Sequence, residues 1–209
     1  MKSKIGYRGL IVIFVLVLLS VFLVWNYAPF MSRSPEKRPT QIVVVDICSL
    51  RADHVGAYGY ARPTTPNLDA FAKEAATFDN FWTESGWCLP NFATLLTGTR
   101  PETHKLTFIN TKLSTSITTV AEILRDNGFA TAGFSGSRYL VPETYGLEKG
   151  FQTFVGSYTA ADLPMGAASY RTNEAAVKKW VVDNKDKSFF LYVTIDDLHS
   201  PYTHADNPK

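Results

Sequence analysis

Cys88-Leu89-Pro90 opens the run C-L-P-N-F-A-T-L-L-T-G, residues 88–98, the segment of this chain best suited to chemistry. Proline is tolerated in the first turn of a helix, where its missing N–H costs no hydrogen bond. The spacing predicts a short helix over Leu89–Thr97, closed by Gly98, with Cys88 just ahead of it. Unpaired amides and the positive end of the helix dipole favour an anion at that point and lower a thiol pKa. A nucleophile that attacks sulfate or phosphate esters is well placed there. Two readings compete. Free cysteines are often inert core residues, and Cys48, the second of two cysteines in the chain, could pair with Cys88 as a disulfide in an oxidising compartment.

Such a cysteine needs a scaffold. Ile42–Ile47 is a continuous run rich in β-branched residues, and Phe189–Ile195 is wholly apolar except for Thr194. Both read as strands buried on two faces of a parallel sheet. Ala130–Phe134 reads as a third strand. Helical spacing marks Pro66–Ala76, Ser116–Asn127 (closed by Gly128) and Tyr170–Asn184. Strands that alternate with helices predict an α/β fold, a mostly parallel sheet flanked by helices on both faces. Ligands of such sheets bind beyond the carboxyl ends of the strands. Asp46–Ser49, Ser135–Arg138 and Asp196–His199 all fall there, so topology predicts that they converge with Cys88 on one pocket.

The 209 residues, 45% of them hydrophobic, are ample for one domain with a real core. Residues 1–27 differ from the rest. Lys2, Lys4 and Arg8 precede an uncharged apolar run from Gly9 to Trp25. This pattern is expected to be an uncleaved signal anchor, one membrane helix that sends the remainder to the extracytoplasmic side, periplasmic or extracellular. A cleaved signal peptide is the alternative. Residues 28–40 read as a polar linker. The first 38 residues hold six Lys/Arg and one Glu, leaving 15 basic and 18 acidic residues beyond them, a net of −3. A mildly acidic domain without a basic stripe excludes a nucleic-acid partner.

Several runs stand in a recognisable order. They are I-V-V-V-D-I-C-S-L-R-A-D-H-V-G-A-Y-G-Y (42–60), T-T-P-N-L-D-A-F-A (64–72), the Cys88 run, L-R-D-N-G-F-A-T-A-G-F (124–134) and D-L-H-S-P-Y (197–202). From about residue 41 to 202 the chain resembles the N-terminal portion of the sulfatase family, within the alkaline-phosphatase-like superfamily. That resemblance implies an alkaline-phosphatase-like fold over residues 41–209 and a hydrolase of sulfate esters. It implies that Cys88 is the nucleophile, as a thiolate or after oxidation to formylglycine, whose hydrate attacks sulfur. It implies that Asp46 binds a divalent metal, Ca²⁺ ahead of Mg²⁺, Mn²⁺ or Zn²⁺. His199 would hydrogen-bond the sulfate or protonate the leaving group, with Asp197 behind it and Asp196 a weaker candidate. Arg138 would offer its planar fork in place of the family's lysine. Arg51, Asp53 and His54 would fix their loop.

The chain also departs from the family pattern. Phe92 stands where the motif has arginine, Cys48 where counting back from Leu50 puts the metal-binding aspartate, and Ser135-Gly136-Ser137-Arg138 where Gly-Lys-x-His is usual. The family's later Asp-His or Asp-Asn cluster would follow Lys209, so the chain reads as truncated, a fragment with about half a catalytic site. Two alternatives accompany the hydrolase. One is an envelope phosphoethanolamine or phosphoglycerol transferase of the same superfamily; the other is a non-catalytic sulfatase-like domain.

Overall fold

Residues rich in β-branched and aromatic side chains build the sheet. In the computed structural model, which describes residues 16–22, 39–156 and 171–199, these runs become Gln41–Ile47 (β1), Ala130–Ser135 (β2), Thr153–Gly156 (β3) and Phe189–Ile195 (β4). Their order is β1-β4-β2-β3 and every neighbouring pair is parallel. The register matters for function. Thr194 lies opposite Asp46 on one side and Ser135 on the other, so three strands end level with one another. The ladder runs one step past β1, where the Cys48 N–H donates to Ile195 O at 2.9 Å.

Five α-helices are described in this part of the chain: Pro66–Ala72 (α1), Cys88–Thr97 (α2), Pro101–His104 (α3), Val120–Asp126 (α4) and Arg171–Asn184 (α5). Period-two alternation sends β1 and β4 side chains to opposite faces. Phe190 and Tyr192, with Ile42 and Val44 beside them, pack against Leu89, Phe92 and Leu96 of α2 and Ala121 of α4. Phe189, Leu191 and Val193 join Ala132 and Phe134 under Val177, Trp180 and Val181 of α5. Helices therefore cover both faces of the sheet, as the alternating pattern predicts. The cover is incomplete at the β1 edge, where Val43 and Val45 are each 53% exposed.

Local chemistry moved several boundaries. The helix of the cysteine run starts at Cys88, so that residue is inside its first turn instead of ahead of it; Trp87, with φ −148° and ψ 164°, is the extended residue before it. Pro90 sits in that same turn, where no N–H is missed. The helix predicted from Ser116 begins at Val120, because Thr119 and Glu122 form a reciprocal capping box. Thr119 Oγ1 accepts from Glu122 N at 3.1 Å and Glu122 Oε2 from Thr119 N at 2.9 Å. Pro66–Ala72 is one turn shorter than predicted. β3 and α3, of four residues each, are too short for periodicity to reveal.

The structure divides into two units, Met1–Arg38 and Pro39–Lys209. In the first, residues 16–22 are helical and exposed. Among the described residues no helix is long and apolar enough to cross a membrane. Most of the anchor expected over residues 1–27, and residues 28–38 of the linker, lie outside the described residues.

His104, at the end of α3, is 2% exposed and locked in place. Leu106 N–H donates to its Nδ1 at 3.0 Å, and its Nε2 lies 3.2 Å from Thr94 Oγ1. Nδ1 is thus an acceptor, which leaves the ring proton on Nε2. Burial holds the imidazole below its ordinary pKa, partly offset by Glu102. The unfolded chain therefore takes up a proton before the folded one does. Stability is expected to fall as pH drops below the unfolded value of about 6.5, and to level off once the folded imidazole is protonated too. His104→Ala, which also strands the Leu106 amide, is expected to cost about 2–3 kcal/mol and to flatten that acid slope. Urea denaturation at a series of pH values measures both.

Candidate active site

Two sulfurs meet where β1 ends and α2 begins. Cys48 Sγ lies 3.0 Å from Cys88 Sγ, and both are thiols. Cys48 follows Asp46 on the same side of the strand, since side chains two apart share a face. The position of Cys88 is set by a residue that sequence reasoning missed. Asn91 Oδ1 accepts from Ser85 N at 3.0 Å, while its Nδ2 donates to Ser85 O at 2.7 Å and Trp87 O at 3.0 Å. One side chain thus ties the incoming loop to the first turn of α2. Its only signal was an asparagine three residues after the cysteine, which is also common at helix starts.

The other strand ends supply the remaining groups. After β4, Asp196 is 5% exposed and His199 N–H donates to its carbonyl at 2.9 Å, turning the chain back over the site. After β2, Gly136 N–H donates to Thr194 O at 3.1 Å, and Thr194 Oγ1 donates to Ser135 Oγ at 3.1 Å. A Cβ on Gly136 would stand 3.2 Å from Thr194 O and 3.4 Å from Asp196 N, so glycine is what allows the two exits to lie this close. Arg138 is exposed, stacked 5.8 Å over the Tyr139 ring, and its charge reaches Asp196. Asp46, Cys48, Trp82, Trp87 and Cys88 line a cleft of about 640 Å³.

Electrostatics tie these groups together. The hydrogen bond with Cys48 lowers the Cys88 pKa and His199 helps, against burial and the charges of Asp196 and Asp46. The same bond is the main reason that the Cys48 pKa is raised, with burial and nearby Asp196 adding to it. Burial raises Asp46 most; the Tyr192 hydroxyl, donating at 3.2 Å, pulls it down, and the Asp196 charge pushes it up. Burial also raises Asp196, while Cys48 and His199 oppose the shift.

Residues from two of the three predicted strand-end clusters come close to Cys88. His199, Asp196 and Asp46 all influence its charge. Arg138, in the third cluster, reaches Asp196 with its charge but does not line the cleft. Arg51, Asp53 and His54 do not join the site: Arg51 Nε and His54 Nδ1 contact Asp53 Oδ1 at 2.9 and 3.0 Å on an exposed loop. Ser200, Pro201 and Tyr202, the rest of the histidine motif, lie outside the described residues.

A divalent metal tests this donor set. Ca²⁺ takes about six to eight oxygens and Mg²⁺ a near-ideal octahedron. Asp46 and Asp196 offer two carboxylates beside two thiols, and Asp196 Oδ1 is buried with no hydrogen-bond partner among the described residues. Among the described residues, however, no group of three or more His, Cys, Asp or Glu is arranged to hold a metal ion. The described donors do not make a hard-cation site by themselves.

The buried Asp196 has a stability consequence. Its folded pKa lies above the unfolded one, so the native state binds the extra proton. Stability from that proton is complete below the unfolded value of about 3.9 and is lost as pH rises through the folded value. Asp196→Asn is expected to remove this loss and to stabilise the chain near neutral pH by on the order of 1 kcal/mol. Comparing urea midpoints of the two proteins from acid to neutral pH checks the sign.

A family model described as Sulfatase matches residues 40–209. Human arylsulfatase A is 33% identical over 129 residues, which cover 57% of this chain and 25% of that protein. The chain spans about a quarter of the length of the curated relatives it matches. Among solved structures, BT4656 in complex with its substrate D-glucosamine-2-N,6-O-disulfate superposes with a TM-score of 0.64 at 22% identity, over 78% of this chain and 35% of that one. The C-terminal periplasmic domain of EcEptC from Escherichia coli, in complex with Zn, also gives 0.64, at 18% identity, over 83% of this chain and 48% of that one. Both likenesses speak to the fold.

Proposed function

The chain belongs to the sulfatase family, and from that premise we propose that it serves as the nucleophile-bearing part of a sulfuric ester hydrolase. The observation that carries this reading is the meeting of Cys88, in the first turn of α2, with Asp46, Asp196 and His199 from parallel strand ends. Cys88 is the nucleophile, as thiolate or formylglycine. In the formylglycine form one hydroxyl of its hydrate loses its proton and attacks sulfur, the ester S–O bond breaks, and the alcohol leaves with a proton from His199. The second hydroxyl then loses its proton, the C–O bond to the sulfo group breaks, and sulfate departs as the aldehyde is restored. Arg138, whose charge reaches Asp196, binds sulfate oxygens. Divalent-metal chemistry belongs to the family; Asp46 is the ligand we assign, and the ion is not specified. The substrate of BT4656 is a sulfated sugar, which supports a sulfate ester as substrate class.

Phe92 favours a second reading. It is 2% exposed and packs into the core, so the position that carries arginine in the sulfatase motif carries no charge here. Together with the likeness to EcEptC, this supports a phosphoethanolamine-type transferase of the same superfamily. Residues 1–27, with their basic flank and apolar run, are proposed to anchor the protein with the domain on the extracytoplasmic side.

The full chain should be assayed for inorganic sulfate released from nitrophenyl sulfate, with the Cys88 peptide examined by mass spectrometry. Sulfate release, with or without an aldehyde at Cys88, supports the hydrolase. A phosphorylated enzyme formed from phosphatidylethanolamine instead supports the transferase. Neither activity would leave the non-catalytic domain as the function.

A further inference from the structure

We propose that Cys48 and Cys88 form a reversible disulfide, so that an oxidised form of this protein holds its own candidate nucleophile closed. The bond itself rests on the placement of two cysteines; only its consequence for catalysis rests on the hydrolase reading.

The pair is brought together by two independent anchors. Cys48 is held by its own N–H to Ile195 O, an extension of the β1–β4 ladder. Cys88 is held by the first turn of α2 and the three Asn91 hydrogen bonds behind it. The sulfurs already face one another at 3.0 Å, so neither anchor must break for them to join. Access is unequal. Cys48 is 8% exposed, whereas Cys88 is half-buried beside the cleft. An oxidant therefore meets Cys88 first, and Cys48 is placed as the resolving thiol. The chain has no third cysteine to compete.

A small-molecule disulfide of the glutathione class supplies the oxidising equivalents. The Cys88 thiolate attacks one of its sulfurs, its S–S bond breaks, and one thiol leaves with Cys88 in a mixed disulfide. Cys48 gives up its proton and attacks Cys88 Sγ, which expels the second thiol. Two electrons pass from the cysteines to the oxidant, whose two sulfurs depart as thiols carrying the two protons. Excess thiol reverses both steps. In the oxidised state Cys88 can neither attack an ester nor be oxidised to formylglycine, and the chain is cross-linked across 40 positions.

The reduced full chain should be incubated, folded, in a graded series of oxidised and reduced glutathione, quenched with N-ethylmaleimide and digested. The expected result is a linked peptide pair joining Cys48 to Cys88, loss of both alkylation sites, and a mass lower by two hydrogens, all reversed by dithiothreitol. Cys48→Ser should stop at glutathione on Cys88. Wild-type chain that accumulates glutathione on Cys88 with Cys48 still free, or that stays fully alkylated, would overturn the proposal. Complete conversion of Cys88 to an aldehyde would overturn it too while supporting the hydrolase. A reversible disulfide in a chain that releases no sulfate when reduced would support the switch and remove the hydrolase reading.

Discussion

Cys88→Ala is expected to lower sulfate-ester hydrolysis by about a thousandfold or more, with the fold intact. The size follows from what is removed. A covalent nucleophile splits one difficult displacement into two easier ones, and positioning groups cannot substitute for the missing atom. Geometry supports the proposed choice of Cys88 over neighbouring hydroxyls. Thr83 Oγ1 is donated to Ser85 O at 3.2 Å, and Ser85 lies in the loop that Asn91 ties down. Cys88 joins the first turn of a helix to a partner thiol 3.0 Å away, a contact that lowers its pKa. The half-buried side chain fills little of the core, so the urea midpoint should shift by no more than about 1 kcal/mol. Steady-state sulfate release and a urea titration on the same preparation separate the two effects. Retained hydrolysis with an unchanged midpoint would move the nucleophile elsewhere, to Thr83 or Ser85 first.

Gly150→Ala is expected to be the most damaging small substitution outside the site, costing about 3–5 kcal/mol. Gly150 has φ +88°, where an L side chain is strained by about 1–3 kcal/mol. Its surroundings add to that. A Cβ there would stand 2.5 Å from the Ala121 carbonyl carbon and 2.6 Å from Glu122 Cα, and nearer still to Glu122 N. These are backbone atoms of the capped first turn of α4, so no rotamer change relieves the clash; overpacking of this kind costs a further 1–3 kcal/mol or so. Movement would also strain neighbouring bonds, because Thr131 Oγ1 donates to Gly150 O at 2.8 Å and Thr119 Oγ1 donates to Lys149 O at 2.8 Å. Thermal and urea unfolding measure the loss. A cost under about 1 kcal/mol would mean that α4 does not pack here as described.

The scaffold was largely legible in the residues. Ile42–Ile47 and Phe189–Ile195 carry little besides strand-forming side chains, so their place in a parallel sheet followed from composition. Of the two, only Phe189–Ile195 is buried on both faces; β1 is an edge strand that leaves Val43 and Val45 exposed, against the burial expected of it. The capping box at Thr119 and Glu122 was written in the chain too, although the helix had been expected from Ser116. Apolar periodicity continues through Ile117, and only the reciprocal hydrogen bonds decide where the first turn closes. β3 and α3 went unread because four residues hold too little of either period.

The site divides along a similar line. Sequence by itself determined which chemical groups stand at the strand ends, because strand length and alternation fix where each carboxyl end falls: Asp46 after one strand, Ser135–Arg138 after another, Asp196–His199 after the third, and Cys88 beside a helix-starting proline. Tertiary structure alone decided which of them touch. The order β1-β4-β2-β3 sets Asp196 between the exits of β1 and β2 and puts Cys48, not Asp46, against Cys88. Those contacts join residues 40 or more positions apart. Local propensity carries no term for them, since which strands pair is settled by the burial of both sheet faces across the whole chain.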